Sequence, residues 1–434
     1  MKKSKQIAVF SLCAAVLCGC GNSQPADSST DTETGKKEQV TFWYSGGKTA
    51  ANVMEEIIAA FNDSQDQYQV TGITQGDYDE TYQKLQAGIA SSTAADLALL
   101  DADKSHNLAV KGLLEDFSQF TGTDSDYQTE NYLDVFFRQG VLEDGTVFAL
   151  PAYGTTQVLY YNRDVFHTAH ILPEEITTWQ DMEQAAKKLS DCGLTDVYAW
   201  EPMWNADNLI DAAFSNGAAF FTDDGKTVTI NSPEWVEVWE SFRRWIHEDN
   251  IMKIHYGGQG WEYWYETMDD AVTGKSAGYT GSSGDQADLD FKVVGAMEQP
   301  GFGTNPSAPA ARALQLVLPK NKSDNKKQGA YAFIKYFNSP ENQAKWSMAT
   351  GYVPVCEDTL EDSTYKEYTV QNPQALVPFQ QAMHGSILPV DPTGGKIYDA
   401  LDIAADKVEI ENISAQDALD EAQATAQRAL DDAL

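Results

Sequence analysis

The chain has 434 residues, room for two or three domains, and its 42% hydrophobic and 22% charged content is that of a folded protein. Its formal net charge is −35, and only Arg243 and Arg244 are adjacent arginines. Binding phosphates takes clustered Lys and Arg, so nucleic acid and anionic membrane surfaces are poor partners for it.

Lys2, Lys3 and Lys5 precede an apolar run, Ile7 to Leu17, that is too short to span a bilayer. This is a targeting segment and is set aside from the fold. It ends in Leu17-Cys18-Gly19-Cys20, which resembles the bacterial lipobox. The resemblance implies a signal peptide over residues 1–19, cleavage before Cys20 and lipid on its sulfur, and so a protein held on the extracellular face of the cell membrane. Two acyl chains make a stable anchor. Residues 20–39 are Ser, Thr, Asp, Gly and Lys with almost nothing apolar, a tether. Cys192 and Cys356 are the cysteines left. Spacing does not say whether they meet, and two separate thiols are the simpler expectation.

Val40 to Tyr44 is a strand, and the helix after it carries Val53, Met54, Ile57, Ile58 and Phe61 on one face. Tyr68 to Ile73 is a strand, followed by a helix with Tyr82, Leu85 and Ile89 in register. Leu97 to Leu100 is a buried strand ending at Asp101. This alternation predicts a parallel sheet with covering helices, with ligands at the carboxyl ends of its strands. Trp43, Gln75 to Tyr78, and Asp101 to Lys104 fall at that edge. A helix is expected over 131–139. Asp144-Gly145 then signals a turn, Val147 to Leu150 reads as a strand stopped by Pro151, and Val158 to Tyr161 as another. Locally this pair is either a hairpin within one domain or a crossover between two.

Helices follow over 179–190 and 207–215, and a strand over 226–230. Ser232-Pro233 opens a helix whose face is Trp235, Trp239, Phe242 and Ile246. Gly257 to Trp261 is a loop before a helix with Trp264 and Met268. Strands are expected over 277–280, 291–295 and 314–318. Helices begin at Ser323 and Ser339-Pro340, Thr350 to Pro354 is a turn, and 414–434 is a helix.

Several segments, in this order, resemble the family 1 sugar-binding group among the extracellular solute-binding proteins of ABC importers. They are Ala87 to Asp96, Phe148 to Pro151 with Leu159 to Asn162, Thr178 to Met182, Gly274 to Ala277, Phe337 to Asn342, and Thr350 to Val355. One departure is Ser92-Thr93-Ala94-Ala95-Asp96, where the family usually has Gly-Thr-Ala-Pro-Asp. The resemblance implies an α/β, two-lobe periplasmic-binding-protein-like fold (type II) with a hinge between the lobes. Lobe one would be 40–152 and 297–350, and lobe two 155–296 and 353–434. Residues 151–156 would be the first crossover, which turns the local choice away from a hairpin.

Within the family the pattern is closest to the glycerol-3-phosphate-binding branch. Its ligand tyrosine matches Tyr78, its acid falls near Asp101 or Asp103, and its serine before the Leu-Tyr-Tyr-Asn strand near Gly154 or Thr155. Its Ser-Ser-Gly matches Ser282-Ser283-Gly284, and its Thr-Gly-Tyr ends on Tyr352. Its glycine before the late strand falls on Ala311, and its arginine near the C-terminus has no counterpart around Leu388-Pro389-Val390. A phosphate wants a permanently charged bidentate partner, so a neutral carbohydrate, an oligosaccharide, is the expected ligand. A glycerol-3-phosphate or glycerophosphodiester is the alternative.

Aromatics cover sugar faces, and carboxylates accept from sugar hydroxyls. Trp43, Tyr78, Tyr153, Trp204, Trp261 and Tyr352 sit on predicted loops or strand ends and are candidate contacts, with Asp101, Thr155, Ser282 and Ser283. Two other classes were weighed. A surface glycoside hydrolase needs two facing carboxylates, for which Asp103 and Glu262 are candidates. A metal-binding lipoprotein needs clustered ligands, and His167 with His170 is the only close histidine pair. Neither class is favoured: no catalytic residue, metal site or cofactor is expected. The partners implied are a carbohydrate, the transmembrane subunits of an ABC permease and the membrane through its lipid anchor, with the protein itself a monomer.

Overall fold

The computed structural model describes residues 36–433 apart from residue 260. Cys20, the targeting segment and most of the tether lie outside the described residues. Among the described residues nine strands share one sheet: β1 (Glu38–Tyr44), β2 (Tyr68–Thr74), β3 (Leu97–Asp101), β4 (Leu150–Asn162), β5 (Glu201–Pro202), β6 (Gly278–Ser282), β7 (Val294–Met297), β8 (Ala310–Val317) and β9 (Ser386–Ile387). The main order is β2-β1-β3-β8-β4-β6-β5, with β7 on β4 and β9 on β8. β1 pairs parallel with β2 and β3, as the β-α alternation predicts. The helix Lys48–Ser64 buries Val53, Met54, Ile57, Ile58 and Phe61, the expected face.

The two lobes meet through strands that run from one into the other. Up to Thr156, β4 pairs antiparallel with β8. From Gln157 it pairs with β6, and from Leu159 with β7. The cores divide at the same place. Leu150, Ala152 and Tyr153 pack with Phe42, Leu99, Phe333 and Trp346, whereas Leu159 packs with Trp179, Trp200, Trp235 and Trp239. β8 changes sides between Ala310 and Ala311, and β9 runs parallel to it there.

Some expectations fail for identifiable reasons. Pro151 does not end a strand; β4 runs through it with a bulge between Pro151 and Tyr153. The Pro151 carbonyl accepts from Asn338 Nδ2 at 3.0 Å, so its N–H side faces the flank without a partner strand, where proline costs no ladder bond. Residues 131–139 are not one helix but short turns, Thr129–Asn131, Asp134–Phe137 and Arg138–Gly140. Residues 226–230 form no strand: Val228 makes one bridge, to Phe221, while its N–H donates to Gln427 Oε1 and its carbonyl accepts from Gln423 Nε2. Side chains of the helix Ala415–Ala433 take the place of a neighbouring strand. Ser232 precedes its helix without capping it, its hydroxyl donating to Glu234.

The passages between lobes also differ from those expected. Phe302 packs in the second core, beyond the expected boundary at 297, and Val353, Val355, Cys356 and Phe379 pack in the first, beyond the expected boundary at 353. The second core resumes at Ile397. Cys192 is exposed, Cys356 is buried, and both are free.

Buried amides hold the passages together. Gln381 Nε2 donates to Thr156 Oγ1 at 2.7 Å and Gln157 O at 2.6 Å, and its Oε1 accepts from Gln299 N at 2.7 Å. Replacing it with leucine strands the buried Gln299 N–H. Gln381→Leu is expected to lower unfolding stability by roughly 1–3 kcal/mol, measured by urea denaturation.

Candidate functional site

Beside the passages, at the carboxyl end of β3, lies a cavity of about 420 Å³ lined by both lobes. The first lobe contributes Tyr78, which starts the helix Tyr78–Ser91, and Asp101 and Asp103 at the end of β3. The passage strands contribute Thr155 and Arg312. The second lobe contributes Asn205, Asp207, Tyr398 and Asp402. Asp101 caps the helix Ala102–Val110, accepting from Lys104 N at 2.9 Å, and pairs with Lys104 Nζ at 2.6 Å. Asn205 has φ 153, a backbone state rare outside glycine and most often found where a site holds it.

Four aspartates line this cavity against one arginine. Arg312 Nη2 donates to Asp207 Oδ1 at 2.5 Å, so its charge is largely met. Burial, helped by the nearby Asp101, pushes the Asp103 carboxyl up to about 6. Burial also raises Asp402 to about 6. Behind them Asp211, buried on the helix Asp207–Phe214, accepts from Ala310 N at the start of β8 and from Gln299 Nε2, and burial raises it to about 7. Tyr398 donates to Pro389 O at 3.0 Å.

A second cavity, of about 570 Å³, adjoins the first and is its aromatic counterpart. Trp261, Trp264 and Tyr265 face Tyr352, Ser282, Asp285 and the start of the helix Lys48–Ser64. A polar partition stands between the two. Thr155 Oγ1 lies 3.3 Å from the hydroxyls of both Ser282 and Ser283, and Tyr78 OH lies 3.0 Å from Tyr153 OH. The lobes touch closely here: a Cβ on Gly284 would stand 2.9 Å from the Tyr352 ring, and Gly351, at φ +76, backs onto Ser283 O.

The fold gathers most of the residues the sequence singled out. Tyr78, Asp101 and Thr155 line the first cavity, and Trp261, 63% exposed, lines the second with Ser282 and Tyr352. Four stand elsewhere. Tyr153 is 1% exposed, its ring 4.8 Å from both Trp346 and Tyr352; it supports the partition from beneath. Ser283 is fully buried within the partition. Trp43 alternates with Phe42 and Tyr44 along β1, so it packs on the opposite face, with Leu85 and Leu108. Trp204 donates to Asp406 Oδ1 at 2.7 Å and meets Tyr263 edge-on, outside both cavities. The carboxylates weighed as a hydrolase pair do not share a pocket: Asp103 lines the cleft, and Glu262 a separate one with His255 and Lys253.

Arg312, Asn205, Asp207, Tyr398 and Asp402 went unread. Arg312 had a signal, as a lone charge in the otherwise uncharged strand Ala310–Val317. Tyr398 and Asp402 had none, since they read as one more polar stripe on a helix of an acidic chain.

Residues 56–372 match the family model of bacterial extracellular solute-binding proteins. The sn-glycerol-3-phosphate-binding periplasmic protein UgpB of Rhizobium meliloti (strain 1021) is 26% identical over 366 residues, covering 80% of this chain and 81% of the relative. UgpB from Mycobacterium tuberculosis, solved in complex with glycerophosphocholine, superposes with a TM-score of 0.77 at 22% identity, over 92% of this chain and 99% of that one. The cyclic alpha-maltosyl-1,6-maltose binding protein from Arthrobacter globiformis gives 0.75 at 20% identity, over 92% and 100%. At these identities the two structures speak for the fold.

The Arg312 guanidinium partly offsets the burial that raises the Asp211 carboxyl. Arg312→Met, which deletes a charged hydrogen bond to the partly exposed Asp207, is expected to cost about 2 kcal/mol at pH 8 and less at pH 5.5. The sign follows from the raised carboxyls of Asp103 and Asp211, which take up protons as pH falls and cease to need a counter-charge. Chemical denaturation of both proteins at the two pH values measures it.

Proposed function

The chain belongs to the bacterial extracellular solute-binding protein family, and on that premise we propose that it captures a neutral carbohydrate, an oligosaccharide, and delivers it to the membrane permease of an ABC importer. One observation carries the choice of ligand. The cavity between the lobes presents Asp101, Asp103, Asp207 and Asp402 around a single arginine already bonded to Asp207. Carboxylates accept from hydroxyls and repel anions. The aromatic second cavity, with Trp261, Trp264 and Tyr352, suits the apolar faces of further sugar units.

In this reading ligand contacts both lobes at once and favours the closed arrangement by its differential affinity for it. β4, β8 and the segment around β9 flex to allow closure. Trp43, Tyr153 and Trp204 support the cleft walls, and Tyr78, Asp101, Thr155, Trp261, Ser282 and Tyr352 touch ligand. The protein works as a monomer, held to the membrane by lipid on Cys20.

A second reading, a glycerophosphodiester, is favoured by Arg312 within the cavity and by the ligands named for the UgpB relatives. Calorimetry against malto- and isomalto-oligosaccharides, sn-glycerol 3-phosphate and glycerophosphocholine separates the two. Binding of the phosphate compounds alone would replace the carbohydrate by the diester, and release of shorter sugars would make the protein a hydrolase.

Two outcomes are expected if a sugar binds. Asp101→Ala and Tyr78→Ala each weaken it about tenfold, on the order of 1.4 kcal/mol. Affinity also falls as pH drops from 7.5 to 5, because Asp103 and Asp402, raised to about 6, take up protons and cease to be pure acceptors. Titration calorimetry at three pH values, with circular dichroism to confirm folding, reads both.

A further inference from the structure

The helix Glu262–Thr273 has two working faces. Trp264 and Met268 turn toward the cleft, Glu262, Glu266 and Asp270 turn to a separate pocket of about 560 Å³, and Tyr265 borders both. At the floor of that pocket we propose a divalent-cation site, best suited to Zn²⁺, formed by His255 and Asp270, which line it, with the buried Glu201 beside them.

The three residues are far apart in sequence, yet each offers a donor atom within 4.8 Å of the others. His255 Nε2 is 2.8 Å from Asp270 Oδ2 and 3.6 Å from Glu201 Oε2. Tetrahedral zinc with legs of about 2.0–2.2 Å places its donors roughly 3.4 Å apart, between those two distances. Glu201, on β5, is fully buried, and among the described residues neither of its carboxylate oxygens accepts from an N–H or O–H donor. A buried carboxylate without donors is costly, and a cation among these donors removes the cost.

The surroundings fit a metal as well. Glu266 Oε2 lies 3.2 Å from His255 Nδ1. A proton on Nδ1 directed at that carboxylate leaves Nε2 with its lone pair toward the site, the usual support of a metal-bound histidine. Lys275 Nζ holds Asp270 through Oδ1 at 2.8 Å, and Oδ2 is the oxygen turned toward His255. One imidazole and two carboxylates make a zinc-type set with an open fourth position; calcium and magnesium want oxygen throughout.

Lys253 is the competitor. Its Nζ lies 2.6 Å from Asp270 Oδ2 and 2.9 Å from His255 Nε2, so an ammonium stands among the donors. The side chain is about one-third exposed, and Glu262 and Asp269 line the same pocket and can receive it. Metal would then exchange with Lys253, tying β5, the segment carrying His255 and the helix behind the aromatic wall into one unit.

The test uses the full chain, freed of metal with chelator, its exposed thiols alkylated, and titrated with ZnCl₂ alone by calorimetry. One equivalent is expected to bind and to raise the unfolding temperature. His255→Ala and Glu201→Gln should weaken binding tenfold or more and remove that rise. Lys253→Met, which deletes the competing ammonium, should bind more tightly than the parent. That gain cannot come from a misfolded protein or from scattered surface carboxylates. Absence of a saturable single equivalent in both the parent and Lys253→Met overturns the proposal, as does binding that His255→Ala leaves unchanged.

Discussion

Everything in this molecule that concerns the cleft hangs on the antiparallel pairing of β4 with β8 as both leave one core for the other. Thr155 stands opposite Arg312, and Thr156 opposite Ala311. Backbone that passes between lobes has little apolar cover, yet its polar groups are taken out of water, so each needs a partner. The chain supplies them with buried amides. Gln139 binds Ala311 O and Ala313 N, Gln343 binds Ala152 O and Val355 N, and Gln299 and Gln381 both reach Gln157 O. Such side chains fix the passages by hydrogen bonds rather than by bulk, and on the proposed function these passages are where the lobes would pivot.

The same pairing creates the electrostatics of the cavity. A strand that crosses between lobes can point a side chain into the space between them, and β8 uses that position for Arg312. Its pairing with Asp207 joins the passage to the first turn of a second-lobe helix. Asp211, one turn along that helix, reaches back to Ala310 N. The passages between the lobes and the acidic cavity thus share charged groups. Whatever changes the ionisation of one is felt by the other, because the aspartates around Arg312 sit where burial already disfavours their charge.

The sequence made the parallel half of the sheet legible. Strands and helices of regular period alternate between Val40 and Asp101, and local period is what sequence carries best. The two-lobe plan was legible through the order of its motifs. What could not be read was which side of a passage each segment joins. Val353 and Phe379 pack in the first core because β9 and the residues after it, rather than the turn at Gly351, carry the chain across. No local pattern marks that choice. Site residues divide the same way. Tyr78 and Ser282 lie at ends of elements and Thr155 within β4, and each lines one of the two cavities, as the sequence placed them near strand ends or crossovers. Trp43 and Tyr153 also lie on strands, but their facing depends on what packs above them. Trp204 found an aspartate one helix away. Asp402 and Tyr398 reach the cavity from a helix that looks ordinary in sequence.

The partition of the cleft bears on the size of ligand it favours. Thr155, Ser282 and Ser283 meet hydroxyl to hydroxyl at 3.3 Å, longer than well-formed O–H···O bonds. Weak hydroxyl pairs are cheap to exchange for those of a sugar, which has the same donor and acceptor capacity. A ligand confined to the acidic cavity would leave Trp261 exposed and the partition in place. A longer one, lying across the partition, replaces these bonds with its own and reaches Trp261 and Trp264 on the far side. If the ligand is a sugar, as proposed, the gain from covering those rings comes only to ligands long enough to bridge both cavities, and a divided cleft of this kind would then favour an oligosaccharide over its monomer.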